Sequence, residues 1–133
     1  MSSQIITSIE LYKMHVPLKE PFVISLGPIH AAENVVVKIT TSEGLIGFGE
    51  NSPFMTINGE SADTGMVVGQ YFAKFFIGKN ALAIEERVAD MDRIIYGNYS
   101  IKSALEMALY DIASQSAGLP LYEFLGGVNK KDI

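Results

Sequence analysis

The chain has 133 residues, of which 48% are hydrophobic, and its formal net charge is −5. This length is enough for one domain with a buried core, and an acidic chain without clustered Lys and Arg is a poor candidate for nucleic-acid binding. The absence of cysteine excludes disulfides and thiolate metal sites. The sequence shows neither a signal peptide nor an apolar run of the about 20 residues that a membrane helix needs. We therefore expect a soluble, cytoplasmic α+β domain without a membrane role.

Extended segments are predicted in the first fifty residues. Residues 4–16 alternate apolar side chains between two faces, and Pro17 is expected to end this first strand. Residues 22–25 form a short second segment that stops at Gly27. Residues 33–41 and 45–50 form a hairpin around a turn in which Gly44 supplies the positive φ. The pattern is an antiparallel strand meander of four extended pieces.

Three helices are predicted to follow the strands. Ser61 is a suitable N-cap for the first helix and Asn80 for the second. The buried side of the first helix is expected to carry most of its large apolar residues, namely Val67, Val68, Tyr71, Phe72, Phe75 and Phe76. The stripe of the second consists of Ile84, Val88, Met91 and Ile95. The predicted architecture is therefore α+β, with a strand meander followed by a three-helix layer.

The third helix, which begins at Asn98 or Ser100, is predicted to be the centre of the fold. Its apolar residues recur at helical spacing, and Gly118 followed by Pro120 ends it. Small residues such as Ala104 and Ala108 keep this stripe narrow. Gly47 and Gly49 likewise leave a strip of one strand without side chains, so we expect a neighbouring element to cross closely there.

Taken alone, the residues form no catalytic or metal-binding constellation. His15, beside a proline, is expected to be structural or solvated, whereas His30 lies in a loop and could be functional. Glu50 lies at a strand end and could contact a ligand, although an ion pair or a brace of the loop is the favoured role. Asp111 borders the helical stripe and is expected to brace the fold by hydrogen bonds, because a half-buried carboxylate needs donors.

Several stretches together resemble a known family. They are PLKEPFVIS (17–25), VVVKITTSEGLIGFGE (35–50), SPFMTINGES (52–61) and ALEMALYDIASQSAGLPLYEFLGG (104–127). Their order and spacing resemble the N-terminal capping domain of the enolase superfamily, in its mandelate racemase and muconate-lactonizing-enzyme group. The segment Ile-Asn-Gly-Glu at 57–60 is similar to a loop of dipeptide epimerases.

The resemblance implies a two-domain enzyme. Residues 1–127 would be the capping domain, and residues 128–133 would begin the connection to a (β/α)₇β barrel of roughly 200 residues that is absent from this chain. In such enzymes a Mg²⁺ ion holds the substrate carboxylate and barrel lysines move the proton α to it. These groups are not in the sequence, so we expect no catalytic residue, no metal ligand and no cofactor in this chain alone.

The resemblance also implies a role in substrate specificity, because two loops of the cap close over a small carboxylate substrate, either a dipeptide or a muconate-like acid. The matching segments here are residues 21–25, extended to His30, and residues 52–60. The residues expected to contact the substrate are Phe22, Ile24, Ser25, Phe54, Met55 and Ile57. For Phe22 and Ile24, simple packing on the sheet is the alternative.

A second hypothesis is a stand-alone, non-catalytic interaction module or the remnant of a split gene. The two hypotheses differ in the surface they predict. A cap without its barrel exposes an apolar surface and should self-associate, for instance as a symmetric homodimer, whereas a stand-alone module should be a monodisperse protein.

Overall fold

The computed structural model describes residues 3–127, and the predicted connection at 128–133 lies outside them. An antiparallel sheet in the order β1-β2-β3 is followed by the helices, as the α+β prediction required. The elements are β1 (Ile6–Ile24), β2 (Gly27–Thr41), β3 (Ile46–Asn51), α1 (Met55–Asn58), α2 (Ala62–Phe76), α3 (Ile84–Ile94), α4 (Tyr99–Ser116) and α5 (Leu121–Phe124).

The prediction of two separate strands before residue 26 was wrong, because β1 continues through Pro17 to Ile24. Pro17 pairs with Ala31 and Phe22 with Ile29, so four residues of β1 stand opposite a single residue of β2 between these pairs. A proline is tolerated here since β1 is an edge strand. Gly27 does not stop a strand either, but starts β2 after a two-residue turn, so His30 lies in this strand and not in a loop as expected.

Helix α4 is the centre of the fold, as predicted, and it crosses β3 at the two glycines. A Cβ atom built on Gly49 would lie 2.7 Å from the carbonyl carbon of Ala104, and one on Gly47 would lie 2.7 Å from Cγ1 of Ile112. The small residues of helix and strand therefore match one another and bring the two backbones into contact. Leu105, Leu109 and Ile112 fill the core beside this crossing.

Helix α4 also covers the outer edge of β3 with polar side chains. The carboxylate of Asp111 accepts from the backbone N–H of Phe48 at 2.9 Å, and the Gln115 amide donates to the carbonyl of Ile46 at 2.7 Å. Asp111 is thus the predicted hydrogen-bond brace. Pairing these edge groups leaves them unable to pair with another strand.

The predicted buried side of α2 was partly wrong. Phe72 and Phe76 are buried, but Val67 and Tyr71 are 72% and 59% exposed. The buried face instead includes Gly65 and Gly69, and the side chain of Leu11 lies where a Cβ of Gly69 would be. The helix approaches the sheet through glycines, so its orientation could not be deduced from its large apolar residues.

Helix α3 begins at Ile84 rather than at Asn80, which forms a bridge with Ile5. Its buried side holds an ion pair in which the Nε of Arg87 donates to Asp90 at 2.9 Å. Burial raises the pKa of Asp90, but the hydrogen bond and charge of Arg87, with Lys79 and Arg93 nearby, lower that pKa further, so the net pKa is below its ordinary value.

Candidate functional site

A broad apolar depression lies between the tip of the β1–β2 hairpin and the loop at residues 52–60. It has a volume of about 490 Å³ and is open to solvent. We refer to it as the apolar groove. Its lining consists of Leu18, Phe22, Ile24, Ile29, Ala31, Ala32, Glu33, Ser52, Pro53, Phe54 and Ile57.

One wall of the groove is a two-stranded ribbon. Strand β3 pairs with β2 from Val35 to Thr40. Beyond this, the stretch of the hairpin between residue 34 and its tip is joined by no third strand from residues 3–127. Its side chains are therefore not needed for the core, and Phe22 is 61% exposed. The irregular pairing of residues 18–21 places Leu18 against the groove along with Phe22 and Ile24.

The other wall is the 52–60 loop, whose centre is the single helical turn α1. This turn ends at Gly59, which has a φ of 71° that favours glycine. The side-chain oxygen of Asn58 accepts from the N–H groups of Phe54 at 3.3 Å and Glu60 at 3.1 Å. The loop is thus internally hydrogen-bonded, and it presents Phe54 and Ile57 to the groove.

Both ends of this loop contact the first turn of α4. Asn51, which is buried, donates to Oγ of Ser100 at 3.0 Å, and the carboxylate of Glu60 accepts from the Ser100 N–H at 3.1 Å. Sequence patterns predict neither bond, since the partners are 49 and 40 residues apart along the chain.

The groove carries little charge. Among the described residues that line it, only Glu33 is ionisable, and its carboxylate contacts Nδ1 of His15 across the two strands. His15 is therefore a cross-strand partner of a groove residue, in line with its predicted structural role. Glu50 accepts from the amide of Asn34 at 2.6 Å, so its contact joins β3 to β2 rather than bracing the loop that follows.

The structure brings together four of the six residues expected to bind substrate: Phe22, Ile24, Phe54 and Ile57 all line the groove. Ser25 lies in the turn at the hairpin tip, and Met55 is 56% exposed on α1, so neither belongs to the lining. Sequence reasoning missed Leu18, Ile29 and Glu33. The signal for Ile29 and Glu33 was the alternation of residues 27–33, which extends the strand predicted at 33–41.

Metal binding finds no support in the part of the chain that the structure describes. Between residues 3 and 127, no three His, Asp or Glu side chains are grouped so that they could hold an ion. In the same residues no helix has the length and hydropathy needed to cross a membrane.

Comparison with known proteins gives matches along nearly the whole chain. Residues 6–126 match the family model described as "Mandelate racemase / muconate lactonizing enzyme, N-terminal domain". The D-Ala-D/L-Ala epimerase of Cytophaga hutchinsonii is 62% identical over 129 residues, which are 97% of this chain and 35% of that protein. The L-Ala-D/L-Glu epimerase of Bacillus subtilis is 39% identical over 92% of this chain and 34% of that protein.

A solved structure shares the fold. The dipeptide epimerase of Cytophaga hutchinsonii, crystallised with Mg and the dipeptide D-Ala-L-Val, superposes with a TM-score of 0.92 at 61% identity. The match covers 96% of this chain and 34% of that one. The chain thus spans about a third of the length of the proteins it matches.

Proposed function

Because the chain belongs to the mandelate racemase and muconate lactonizing enzyme family and matches its N-terminal domain, we propose that it is the capping and specificity domain of a dipeptide epimerase. The observation that carries the proposal is the apolar groove, since the hairpin and the loop that the resemblance assigns to substrate contact form its two walls. Its volume of about 490 Å³ is within the range of small-molecule sites.

The cap contributes by binding and by excluding water. Phe22, Ile24, Phe54 and Ile57 present apolar surface that a substrate side chain can cover, and burial of such surface is favourable in proportion to its area. A closed apolar wall also strengthens the electrostatic interactions of the reacting groups, because it removes water from around them. Proton transfer would be performed by residues supplied from outside residues 3–127.

The metal belongs to the same outside part of the enzyme. The related epimerase is crystallised with Mg, but the described residues of this chain offer no suitable group of ligands. We therefore assign no step of the reaction to a metal held by this domain.

The groove favours dipeptides with uncharged, apolar side chains. Between residues 3 and 127, its lining contains no Lys or Arg that could pair with an acidic side chain, and Glu33 would repel one. On this basis an apolar dipeptide should be preferred over L-Ala-L-Glu. The Bacillus subtilis relative is named for a dipeptide of alanine and glutamate.

Helices α4 and α5 carry exposed apolar side chains that we assign to contact with the rest of the enzyme. Edge-on contact between the rings of Tyr110 and Phe124 fixes α5 to α4, and the nearby side chains of Met107, Tyr122 and Leu125 are 49%, 50% and 62% exposed. We propose that the barrel covers these side chains. The isolated chain should then bind a hydrophobic dye and self-associate in light scattering, whereas a clean monomer without dye binding would favour the stand-alone module.

The function can be tested by joining this chain to the remaining two thirds of the Cytophaga hutchinsonii epimerase, a protein that we call the joined enzyme. Epimerisation is followed by deuterium incorporation at Cα in D₂O. We expect turnover of apolar dipeptides with a kcat/KM about tenfold above that for L-Ala-L-Glu, a difference of about 1.4 kcal/mol. Turnover of a muconate substrate in place of dipeptides would overturn the assignment.

Variants of the groove then test the specificity. Ile57→Ser should lower kcat/KM for apolar dipeptides about tenfold, because burial of an Ile side chain contributes about 1.5–3 kcal/mol. Val67→Ser is the matched control, as both side chains are largely exposed, at 80% and 72%, and neither supports the core. Glu33→Gln should raise kcat/KM for L-Ala-L-Glu about threefold, whereas Glu43→Gln in the distant β2–β3 turn should not.

A further inference from the structure

We propose that Ser100 is a positioning residue that holds the 52–60 loop in place at the groove. The loop leaves the sheet at Asn51 and reaches α2 after Glu60, and both of these flanking residues bond to Ser100. Ser100 itself does not line the groove. The contacts between Ser100 and the loop are seen in the structure itself. Only the effect of Ser100 on substrate binding rests on the proposed function.

The first contact ties the start of the loop to both layers of the fold. Asn51 is 3% exposed, and its side-chain oxygen accepts from the N–H of Val35 at 3.1 Å while its NH₂ donates to Ser100 Oγ at 3.0 Å. Removal of the hydroxyl leaves a buried donor without this partner. A buried unpaired donor is costly, so Asn51 would have to turn or admit water.

The second contact fixes the end of the loop. Asn98, at the N-cap of α4, makes no capping bond with its side chain, which donates to the carbonyl of Tyr96 instead. The carboxylate of Glu60 caps the helix instead, because it accepts from the Ser100 N–H. Glu60 is largely buried at this position, with 9% of its surface exposed. The positive end of the helix dipole favours a carboxylate at this place.

The two contacts act on one rigid piece. Asn58 links the N–H groups of Phe54 and Glu60 through its side-chain oxygen, so α1 is coupled to the residue that Ser100 holds. A displacement at Ser100 is thereby passed to Phe54 and Ile57 at the groove. The neighbouring Ser103 differs in this respect, because its hydroxyl donates to the Ser100 carbonyl at 2.7 Å, within α4 itself, rather than to the loop.

Amide hydrogen exchange of the chain tests this role without a substrate. Ser100→Ala removes the contact with Asn51 at the start of the loop but keeps the backbone contact with Glu60. The hydrogen-bonded amides of Phe54, Ile57 and Gly59 should then exchange about three- to tenfold faster, which corresponds to loss of one hydrogen bond. Amides of α2, and those of β2 other than Val35, which is bonded to Asn51, should not change by this factor. Ser100→Thr, which keeps the hydroxyl, should restore slow exchange, and Ser103→Ala is the matched control.

Equal exchange of the loop in Ser100→Ala and Ser103→Ala would overturn the proposal. If Ser100→Ala does not fold, Glu60→Gln provides the second test, because it weakens the other contact and should likewise speed loop exchange. In the joined enzyme, Ser100→Ala should raise KM for an apolar dipeptide about three- to tenfold, with a smaller change in kcat. An inactive joined enzyme would reject the proposed function, while the exchange rates would still decide the role of Ser100.

Discussion

The crossing of α4 over β3 gives the sharpest prediction on stability, through the substitution Gly49→Ala. The new Cβ would lie 2.7 Å from the carbonyl carbon of Ala104 and 3.1 Å from the nitrogen of Ala108. Carbon atoms in contact are normally about 3.5–4.0 Å apart. The two backbones would therefore have to separate by roughly 1 Å, because neither neighbour is a side chain that can rotate away.

The cost has two parts. Overpacking in a core costs about 1–3 kcal/mol. The separation would also stretch the bonds from α4 to the edge of β3, made by Asp111 and Gln115, and each such bond contributes about 1 kcal/mol. We expect Gly49→Ala to lower the free energy of unfolding by about 3–5 kcal/mol, a large part of the about 5–15 kcal/mol typical of a domain.

Urea unfolding followed by far-UV circular dichroism measures this loss, with Gly65→Ala as the matched control. A Cβ on Gly65 would meet its nearest atoms at 3.4 Å, and alanine is favoured over glycine within a helix by about 0.5–1 kcal/mol, so the control should be neutral or stabilising. The double variant with Gly47→Ala should lose less than the sum of the single variants, because one displacement of α4 relieves both contacts. A Gly49→Ala protein as stable as the control would refute the close crossing.

Two further predictions concern α2 and α3. Ser61→Ala should lower the free energy of unfolding by about 1 kcal/mol, because Ser61 accepts from the N–H of Thr64 in a capping box. The control in the same urea titration is Ser3→Ala, at an exposed serine outside the helices. Equal losses of stability in the two variants would contradict the role of Ser61 as a cap. Asp90 has a pKa lowered in the folded state, so its stabilising contribution is present above its ordinary pKa near 3.8 and is lost as the pH falls through the folded value. Asp90→Asn should therefore be less stable than the unchanged protein at neutral pH, but it should lose less stability on acidification from about pH 5 to about pH 3. If the free energy of unfolding of both proteins fell in parallel over this range, Asp90 would not be a source of the pH dependence.

Sequence patterns predicted the features that depend on residue type at regular spacing. The glycines of β3 and the alanines of α4 were each recognisable, and their match follows from close backbone approach. The family resemblance drawn from residues 17–127 is confirmed by the match over residues 6–126. Four of the six residues expected to contact the substrate lie together in the groove, because they belong to the two segments that the resemblance singled out; their contact with substrate stays a prediction.

Other features depend on contacts between distant segments, and these could not be deduced. Pro17 is typical of a strand end, yet an edge strand tolerates it. The faces of α2 were misassigned because its glycines, rather than its largest side chains, meet the sheet. The role of Ser100 was missed since a single serine in a helix gives no sign of partners near residues 51 and 60.

The two-stranded ribbon and the 52–60 loop have a consequence for how this protein can diversify. In the part of the chain that the structure describes, none of the fully buried apolar residues of the core lines the groove. Substitutions that destabilise the core and substitutions that change the groove therefore fall on separate sets of positions. A combinatorial library over Leu18, Phe22, Ile24, Phe54 and Ile57 should therefore retain folded members at high frequency. Under the proposed function, its members should differ in the dipeptides they accept.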